Sequence, residues 1–396
     1  TTNHSPVVTA PANKTIPKQT PFTLTGSATD ADSDVLTYLW EQTDPGGASG
    51  TGLVSNTKSD GPLFRQFGTA AQVSGANTVL YHSPGENLAG TDPSRTFPDL
   101  AQILVGNTNA ATGACPAPAA AGTVPVTDPA LNCFSEFLPT SDWIGNPTSA
   151  RVMHFRLTAR DEFSPDAAAD HVGGVSWKDM SLTIDNTAGP FLVTSRPTAG
   201  APAKSGGLEN VTWAVAGTNT AAMATNVKIS LSTDGGLTYP TVLSASTPND
   251  GAELLRLPAT TTTTARIKVE AVGNYFFDIN DANFSIQPNG TSALAPSVVT
   301  AKAKPKKITQ GRGFKVKTTV TSALGGTPAG TVQVYKGRKL LGTGTLKSNG
   351  KVTIKLTKKK AKKLKVGKNK LTVKYLGSAT VAASQGTCKI KLVKKR

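Results

Sequence analysis

The most chemically distinctive residues of this sequence are its lysines. Residues 351–375, KVTIKLTKKKAKKLKVGKNKLTVKY, contain eleven lysines and no acid. A lysine ammonium is a hydrated point charge that pairs with phosphate or carboxylate groups without the forked geometry of arginine. The pattern therefore predicts a polyanion-binding surface. The residues assigned to it are Lys351, Lys355, Lys358, Lys359, Lys360, Lys362, Lys363, Lys365, Lys368, Lys370 and Lys374.

Charge is divided unevenly along the chain. Residues 301–396 hold 27 of the 42 Lys and Arg residues and none of the 25 Asp and Glu residues. Positive groups without acids repel one another and destabilise the folded state, which favours a binding role over a solvated surface. Nucleic acid is the less favoured partner, since Tyr335 and Tyr375 are the only tyrosines there and base stacking needs exposed rings. We expect anionic cell-wall polymers, polysaccharides or lipid head groups, bound in a salt-sensitive way.

A second candidate is the run of alternate carboxylates Asp30, Asp32 and Asp34. Calcium takes about six to eight oxygen ligands, so such carboxylates can form a cradle for it. If TDADSD (29–34) and RDEFSPDAAAD (160–170) are loops at one pole of a sandwich, acids of the second loop join the first. Those acids are Asp161, Asp166 or Asp170. An Asp-rich turn that caps its own backbone is the open alternative, and structural calcium is the one cofactor suggested.

The three cysteines indicate one structural bridge. Cys115 and Cys133 flank a Pro-, Ala- and Gly-rich loop that a disulfide can close, with a stabilisation of about 3 kcal/mol, and two free thiols are the alternative. Cys388 alternates with inward residues of the last strand and is expected to be a small core residue. A single bridge is typical of an oxidising compartment.

The elements that must position these groups are strands. Period-two patterns interrupted by Gly, Pro, Asn and Asp recur throughout, and helical periodicity is almost absent. We predict an all-β chain of three tandem Ig-like or fibronectin III-like sandwiches. The units are 1–188, with a loop-rich insertion at about 45–149, then 189–288, a linker at 289–299, and 300–396.

In the third unit, lysines alternate with apolar residues. FKVKTTV (314–320), KVTIKL (351–356) and KLTVKY (370–375) place the two types on opposite faces of a strand. The apolar set can fill a core while the lysines remain in water, and residues 357–369 are expected to be a charged loop. The lysine-rich stretch is therefore predicted to be a folded module with a cationic surface.

Seven segments occur together in an order typical of a known family. They are TDADSDVLTYLWEQ (29–42), GPLFRQF (61–67), RTFPDL (95–100), EFLPT (136–140), HFRLTARDEF (154–163), AGPFLVT (188–194) and NVKISLSTDGGLTYP (226–240). Together they resemble the region that follows the catalytic domain in secreted bacterial reprolysin-like zinc metallopeptidases, over about residues 3–288. The resemblance implies an exported, multidomain bacterial protein with a protease domain upstream.

The third unit resembles a different family. PAGTVQVYKGRKLLGTGTLKSNGKVTIKL (328–356) and NKLTVKYLGSATVAASQGT (369–387) are similar to a bacterial Ig-like repeat module of surface proteins, over about residues 300–395. Such modules are usually neutral or acidic, so the lysine load is a departure from the family pattern.

No catalytic residue is predicted in this chain. Zinc metallopeptidases need HExxH, in which two histidines one helical turn apart share a metal. None of His4, His82, His154 and His171 stands in that spacing, and no Gly-x-Ser-x-Gly elbow occurs. His154 lies on a predicted strand, and we interpret it as structural.

STDGGLTY (232–239) resembles the Asp-box hairpin, S-x-D-x-G-x-T-aromatic, with Tyr239 at the aromatic position. The resemblance implies that Asp234 holds the turn, while Gly235 and Gly236 permit a positive φ. The predicted role is structural.

Three hypotheses follow. The first is a non-catalytic accessory and surface-anchoring region of an exported zinc metallopeptidase, with the basic module bound to the envelope. The alternative is a stand-alone bacterial surface adhesin or stalk, and the third is a nucleic-acid-binding protein. We expect an extracellular or cell-surface monomer without a transmembrane segment, and an HExxHxxGxxH stretch encoded upstream would favour the first hypothesis.

Overall fold

The computed structural model describes residues 3–45, 61–64, 72–73, 89–106, 124–125, 138, 143, 145–146, 149–161, 173–324 and 327–395. The chain forms two compact units. The first comprises Thr1–Ser205, Asn210–Leu255 and Thr260–Asn289, and the second comprises Gly206–Glu209, Arg256–Ala259 and Gly290–Arg396. Within the described residues, no helix has the length and apolar character needed to cross a bilayer.

The predicted all-β class is confirmed, because the described chain is built almost entirely of strands. The described residues up to 188 contain one short helix, α1 (Leu100–Leu104). Their strands are β1 (Val7–Thr9), β2 (Lys14–Pro17), β3 (Phe22–Thr25), β4 (Ser27–Thr29), β5 (Leu36–Gln42), β6 (Gln72–Val73), β7 (Ser94–Phe97), β8 (Val124–Pro125), β9 (Gly145–Asn146), β10 (Ser149–Ala150), β11 (Val152–Asp161) and β12 (Val175–Asp185).

The main sheet of this part has the order β2-β12-β11-β5, and β2 runs parallel to β12. In β11, Met153, Phe155 and Leu157 are fully buried, because successive side chains of a strand point to opposite faces. Phe155 packs edge-on against Phe22 of β3 and Phe97 of β7, with ring centroids 5.8 and 5.0 Å away. This aromatic cluster forms the core of the first sandwich.

The predicted insertion at 45–149 contributes to this core. Phe64 packs against the rings of Phe22 and Phe97, at 5.7 and 5.1 Å. Trp143 is fully buried, and its indole Nε1 donates to the carbonyl of Gly61 at 3.0 Å. Cys115 and Cys133 lie outside the described residues, so their disulfide stays a prediction.

The segment from 189 to 288 adds further sheets. Its strands are β13 (Leu192–Val193), β14 (Ala203–Lys204), β15 (Leu208–Ala214), β16 (Asn226–Ser232), β17 (Thr241–Pro248), β18 (Ala252–Arg256), β19 (Thr262–Ala271), β20 (Phe277–Ile279) and β21 (Phe284–Gln287). One sheet has the order β13-β15-β18, and the other has the order β14-β21-β19-β16-β17 with β20 on β19.

The first two predicted sandwiches are joined within the first compact unit. The backbone amide of Thr23 donates to the carbonyl of Tyr275 at 3.0 Å, and that of Phe277 donates to Pro21 at 2.9 Å. Ile103 of α1 packs against Phe277 and Ile279 in a buried cluster. Residues 1–188 and 189–288 therefore share hydrogen bonds and apolar contacts, and the division into separate domains stays a prediction.

The second compact unit contains the lysine-rich module. Its strands are β22 (Ser297–Lys304), β23 (Lys307–Thr309), β24 (Phe314–Ser322), β25 (Thr331–Lys336), β26 (Lys339–Thr345), β27 (Lys351–Leu356), β28 (Gly367–Tyr375) and β29 (Ser384–Val393), and its helix is α2 (Lys358–Ala361). A three-stranded sheet, β22-β24-β27, faces a five-stranded sheet, β23-β29-β28-β25-β26.

One contiguous apolar cluster fills the space between these two sheets. It includes Val316 of β24, Ile354 of β27 and Val373 of β28, all buried. Tyr375 also belongs to it, and its hydroxyl donates to the carbonyl of Ala329 at 2.7 Å, so the ring is buried without an unpaired polar atom. Burial of each such aliphatic side chain contributes about 1.5–3 kcal/mol, which makes this core the force that orders the module.

Candidate functional site

The lysines of the module stand on the outer faces of both sheets. In β24, Phe314 and Val316 are buried, whereas Lys315 and Lys317, which alternate with them, are exposed. The same alternation holds in β27, where Ile354 is buried and Lys355 is exposed. Strand pleating therefore separates an apolar inner face from a cationic outer face.

Strand register places lysines opposite one another on the three-stranded sheet. Lys315 of β24 lies opposite Lys304 of β22 on one side and Lys355 of β27 on the other. Lys302 lies opposite Lys317 in the adjacent row. Directly opposed residues have Cβ atoms about 4.5–5.5 Å apart, and like charges in that relation destabilise a sheet.

The five-stranded sheet repeats this arrangement. Lys368 of β28 lies opposite Lys391 of β29, and Lys370 lies opposite Lys389. Lys307 of β23 is the partner of Lys391 on its other side. Because residues 301–396 contain no Asp or Glu, no side-chain carboxylate of this segment neutralises these rows.

Helix α2 corrects the expectation that residues 357–369 form a charged loop. Lys358–Ala361 is helical, and Ala361 and Leu364, three residues apart, are buried in the module core. Asn369 clamps the segment that follows, since its side chain accepts from the amide of Lys365 at 3.1 Å and donates to the Lys365 carbonyl at 2.7 Å. Ala361, Leu364 and Asn369 therefore hold the lysine run against the core. The sequence pattern did not indicate this role for them.

Of the eleven lysines assigned from sequence, ten are exposed and Lys360 is half-buried. That assignment missed an equally exposed set on β22, β23, β24, β29 and the turn after β22. The missed residues are Lys302, Lys304, Lys306, Lys307, Lys315, Lys317, Lys389 and Lys391. Alternation in FKVKTTV and KIKLV was the signal that could have found four of these eight.

The module offers little for base stacking. Tyr375 is buried in the core, and Tyr335 is half-buried. The ammonium of Lys374 lies 5.4 Å from the ring centroid of Tyr335, and the Tyr335 hydroxyl donates to Gln333 at 2.6 Å. The single ring near the surface is therefore already in contact with a lysine.

The candidate calcium site is partly assembled. One carboxylate oxygen from each of Asp30, Asp32 and Asp34 lies within 4.8 Å of the others. Oδ1 of Asp30 accepts from the amides of Asp32 and Asp34 at 2.8 and 3.3 Å, as in a self-capped turn, while its Oδ2 is buried and has no hydrogen-bond partner. The backbone amide and ring of His4 bind the Asp32 carboxylate and hold its pKa below the usual range.

Asp161 is not among the carboxylates that the structure groups with Asp30. Its side chain accepts from Asn3 Nδ2 at 2.8 Å and from the amide of Gly174. Asp166 and Asp170 lie outside the described residues. Calcium at this loop stays a prediction, with three converging carboxylates as its basis.

Asp234 and Gly236 lie in a hydrogen-bonded turn between β16 and β17. The Asp234 carboxylate accepts from the hydroxyls of Ser232 and Thr238, each at 2.5 Å, and from the Thr238 amide at 3.0 Å. These bonds, that from Ser232 first, hold the pKa of Asp234 well below its usual range. Gly235 and Gly236 have φ of 85° and 99°, in the region that favours glycine.

His154 is held by a buried acid. Its Nδ1 lies 2.6 Å from Oδ1 of Asp44, whose side chain is fully buried, and its amide donates to Oδ2 of Asp44 at 3.0 Å. Gln42 donates to the same carboxylate at 2.6 Å. These contacts tie β5 to β11. His82 and His171 lie outside the described residues.

Comparisons with known proteins bear on the C-terminal part of the chain. Residues 299–392 match the model of the family described as bacterial Ig-like domain (group 3). No curated protein matches the sequence significantly.

Solved structures of low sequence identity align with the chain. Fibronectin(III)-like modules of Clostridium thermocellum CbhA are 13% identical, with 52% of this chain and 95% of theirs covered and a TM-score of 0.21. Yersinia pseudotuberculosis adhesin InvE is 12% identical over 51% of this chain and 58% of its own, with a TM-score of 0.19. A bacterial ice-binding adhesin is 10% identical over the whole of both chains, with a TM-score of 0.22.

The chain is therefore an all-β protein whose residues 299–392 are similar to bacterial Ig-like domains.

Proposed function

We propose that this chain belongs to a bacterial surface protein, an adhesin or stalk of Ig-like sandwiches, whose residues 300–396 bind anionic polymers of the cell envelope. The observation that carries the proposal is the opposed lysine rows, such as Lys304–Lys315–Lys355, on an ordered scaffold without acids. In this proposal the basic module retains the protein at the surface.

The energetics support a ligand for these rows. Each directly opposed like-charge pair costs about 0.2–1 kcal/mol, and the module carries at least five of them. A polyanion that neutralises the rows removes this cost and releases its own counterions, so affinity falls steeply with added salt. A high net charge can be reached without placing lysines directly opposite one another on neighbouring strands. The opposed rows therefore need a separate explanation.

The similarity of residues 299–392 to bacterial Ig-like domains supports a surface protein. An exported metallopeptidase is the second candidate. The observation that favours it is the set of seven sequence segments that occur in the family's order within residues 3–288. The comparisons add no support for it. We propose no catalytic residue in this chain, and an upstream HExxHxxGxxH stretch would restore the metallopeptidase hypothesis to first place.

Cell-envelope polymers are preferred to nucleic acid as the ligand. Proteins that bind single strands combine a basic groove with exposed aromatic platforms, and Tyr335 and Tyr375 do not supply one. A surface of lysines without exposed aromatic rings recognises a ligand by its density of negative charge, because each ammonium group acts as a point charge.

Cosedimentation of the full chain with purified bacterial cell walls tests the proposal. We expect the chain to pellet with intact walls at low salt, to dissociate as salt rises, and to lose retention after extraction of the anionic wall polymers. Duplex DNA at equal charge concentration serves as competitor. Equal retention by intact and extracted walls at low salt would overturn the proposal, and stronger binding to duplex would favour the nucleic-acid hypothesis.

A further inference from the structure

A groove runs beside strands β22 and β29 of the lysine-rich module. Its volume is about 570 Å³, within the range of ligand sites in proteins, about 300–1,000 Å³. The residues that line it are Ala301, Lys302, Ala303, Lys306, Lys368, Thr387, Cys388, Lys389, Ile390 and Lys391. All of them belong to the second compact unit.

The groove follows from how the two sheets end. Within the described residues, β22 pairs only with β24, so its other edge is left without a strand. β29 pairs with β23 only from Lys391 onward, which leaves the edge of residues 387–390 beside β22. At Gly386 a Cβ would lie 2.2 Å from the carbonyl oxygen of Val299, so the two strands meet there and close one end.

The floor of the groove is small and apolar. Ala303, Cys388 and Ile390 are buried. Ala301 is half-buried beside them. Such a floor contacts uncharged carbon atoms of a ligand and leaves the charge to be met at the rim.

The rim consists of lysines from both sheets. Lys302 comes from the three-stranded sheet, Lys368, Lys389 and Lys391 from the five-stranded sheet, and Lys306 from the turn before β23. All five are exposed, and Lys368 lies directly opposite Lys391. The groove contains no arginine, so its recognition is by point charges rather than by a fork that matches a carboxylate or a phosphate.

We propose that this groove binds a single extended chain of a phosphodiester polymer, with the phosphates on the lysine rim and the carbon spacers on the apolar floor. The inference rests on the proposed function and names the site and ligand class within it. Lys389 and Lys391 project from one face of β29 two residues apart, about 6.7 Å along the strand. A polymer with one phosphate about every 7 Å matches that spacing.

Two lysine-to-glutamine variants of the full chain, equal in charge, test the inference. The groove variant changes Lys302, Lys306, Lys368, Lys389 and Lys391. The matched control changes five exposed lysines that lie outside the groove and outside the lysine rows described above, namely Lys204, Lys339, Lys347, Lys394 and Lys395. The ligand is a synthetic glycerol phosphate oligomer of defined length, and calorimetric titration at several salt concentrations gives affinity and salt dependence.

We expect the groove variant to lose on the order of 100-fold in affinity, and the slope of log K against log salt to shrink by about three units or more. The control should lose less than about fivefold. Equal losses in both variants would overturn the groove and leave the proposed function intact as binding by the whole lysine surface. Unchanged binding in both variants would overturn both proposals.

Cys388 supplies a readout that does not depend on lysine substitution. Its thiol lies on the groove floor and is 6% exposed. A bound chain covers it, so the oligomer should slow alkylation of Cys388 by iodoacetamide, read by mass spectrometry of its peptide, at least about fivefold. An unchanged rate under conditions where the oligomer is bound would place the ligand elsewhere on the module.

Discussion

Lys315 of β24 lies directly opposite Lys355 of β27 on the outer face of a three-stranded sheet, and Lys304 of β22 flanks Lys315 on the other side. Three ammonium groups thus form one row across the sheet. The pairing that creates this row is fixed by the core, because Phe314 pairs with Leu356 and Val316 pairs with Ile354 in the same register. The register that packs the core therefore also places like charges side by side, which lowers the stability of the sheet.

Reversal of the central charge should stabilise the module. In Lys315→Glu, two repulsive pairs become attractive, and we expect a gain of about 0.5–1.5 kcal/mol at low salt. For a module of this size that corresponds to a rise in Tm of roughly 3–8 °C, measured by calorimetry. Lys315→Gln is the matched control, which removes repulsion without adding attraction and should gain less. A lower Tm for Lys315→Glu would show that the row is not under repulsion.

The fold of the module was predictable because its pattern is local. Alternation in FKVKTTV and KVTIKL indicates which side chains enter the core, and the structure buries Val316 and Ile354 and exposes Lys315. The opposition of Lys315 and Lys355 was not predictable, since it depends on which strands pair and in which register. Helix α2 was missed because Ala361 and Leu364 are only two apolar residues in a run of lysines.

Asp278 is a buried carboxyl group whose titration should affect stability. It lies in β20, and its Oδ2 accepts from the amide of Val193 at 2.5 Å. Burial raises its pKa from 3.8 to about 8. The folded state therefore retains a proton that the unfolded state releases, so this group's contribution is complete below pH 4 and is lost as pH rises toward 8.

Asp278→Asn should remove this dependence and preserve an acceptor for the Val193 amide. We expect the variant to match the wild type near pH 4 and to exceed its Tm by about 4 °C or more at pH 8. Calorimetry at a series of pH values measures both. Parallel Tm profiles for the two proteins would show that Asp278 is charged in the folded state.

The two glycines in the turn between β16 and β17 allow the cost of backbone strain to be measured separately from the cost of a steric clash. Gly235 and Gly236 both have positive φ, but a Cβ at Gly235 meets nothing within 4 Å, whereas one at Gly236 would lie 2.5 Å from Cδ2 of Leu104. Gly235→Ala should cost about 1–2 kcal/mol, from backbone strain alone. Gly236→Ala should cost more, because the Leu104 side chain must also move. Similar Tm losses for the two variants would show that the Leu104 side chain does not resist the added methyl group.

The candidate sites differ in how far sequence could define them. STDGGLTY contains all the residues that hold its own turn, so Asp234, Thr238 and the two glycines could be named in advance. The contact of Gly236 with Leu104 could not, because it joins segments more than 130 residues apart. Asp161 was grouped with Asp30 on a loop arrangement, and the contacts of its carboxylate with Asn3 and Gly174 depend on the tertiary fold.

The Asp30 loop should bind calcium if its carboxylates act as ligands rather than only as caps. Oδ1 of Asp30 is committed to the amides of Asp32 and Asp34, and Oδ2 is buried without a partner. Millimolar calcium should raise the Tm of the full chain by a few degrees, since a ligand at about 100 times its Kd stabilises by about 2.7 kcal/mol. Asp30→Asn preserves the capping oxygen, removes the charge, and should abolish the shift.

Asp92→Asn is the matched control for that experiment, because Asp92 caps the amide of Ser94 at 2.9 Å in another exposed turn. We expect this variant to retain the full calcium response. Absence of heat and of a Tm shift in the wild type at millimolar calcium would establish the self-capped turn as the loop's role. A response that persists in Asp30→Asn would place the ion at other acids of the chain.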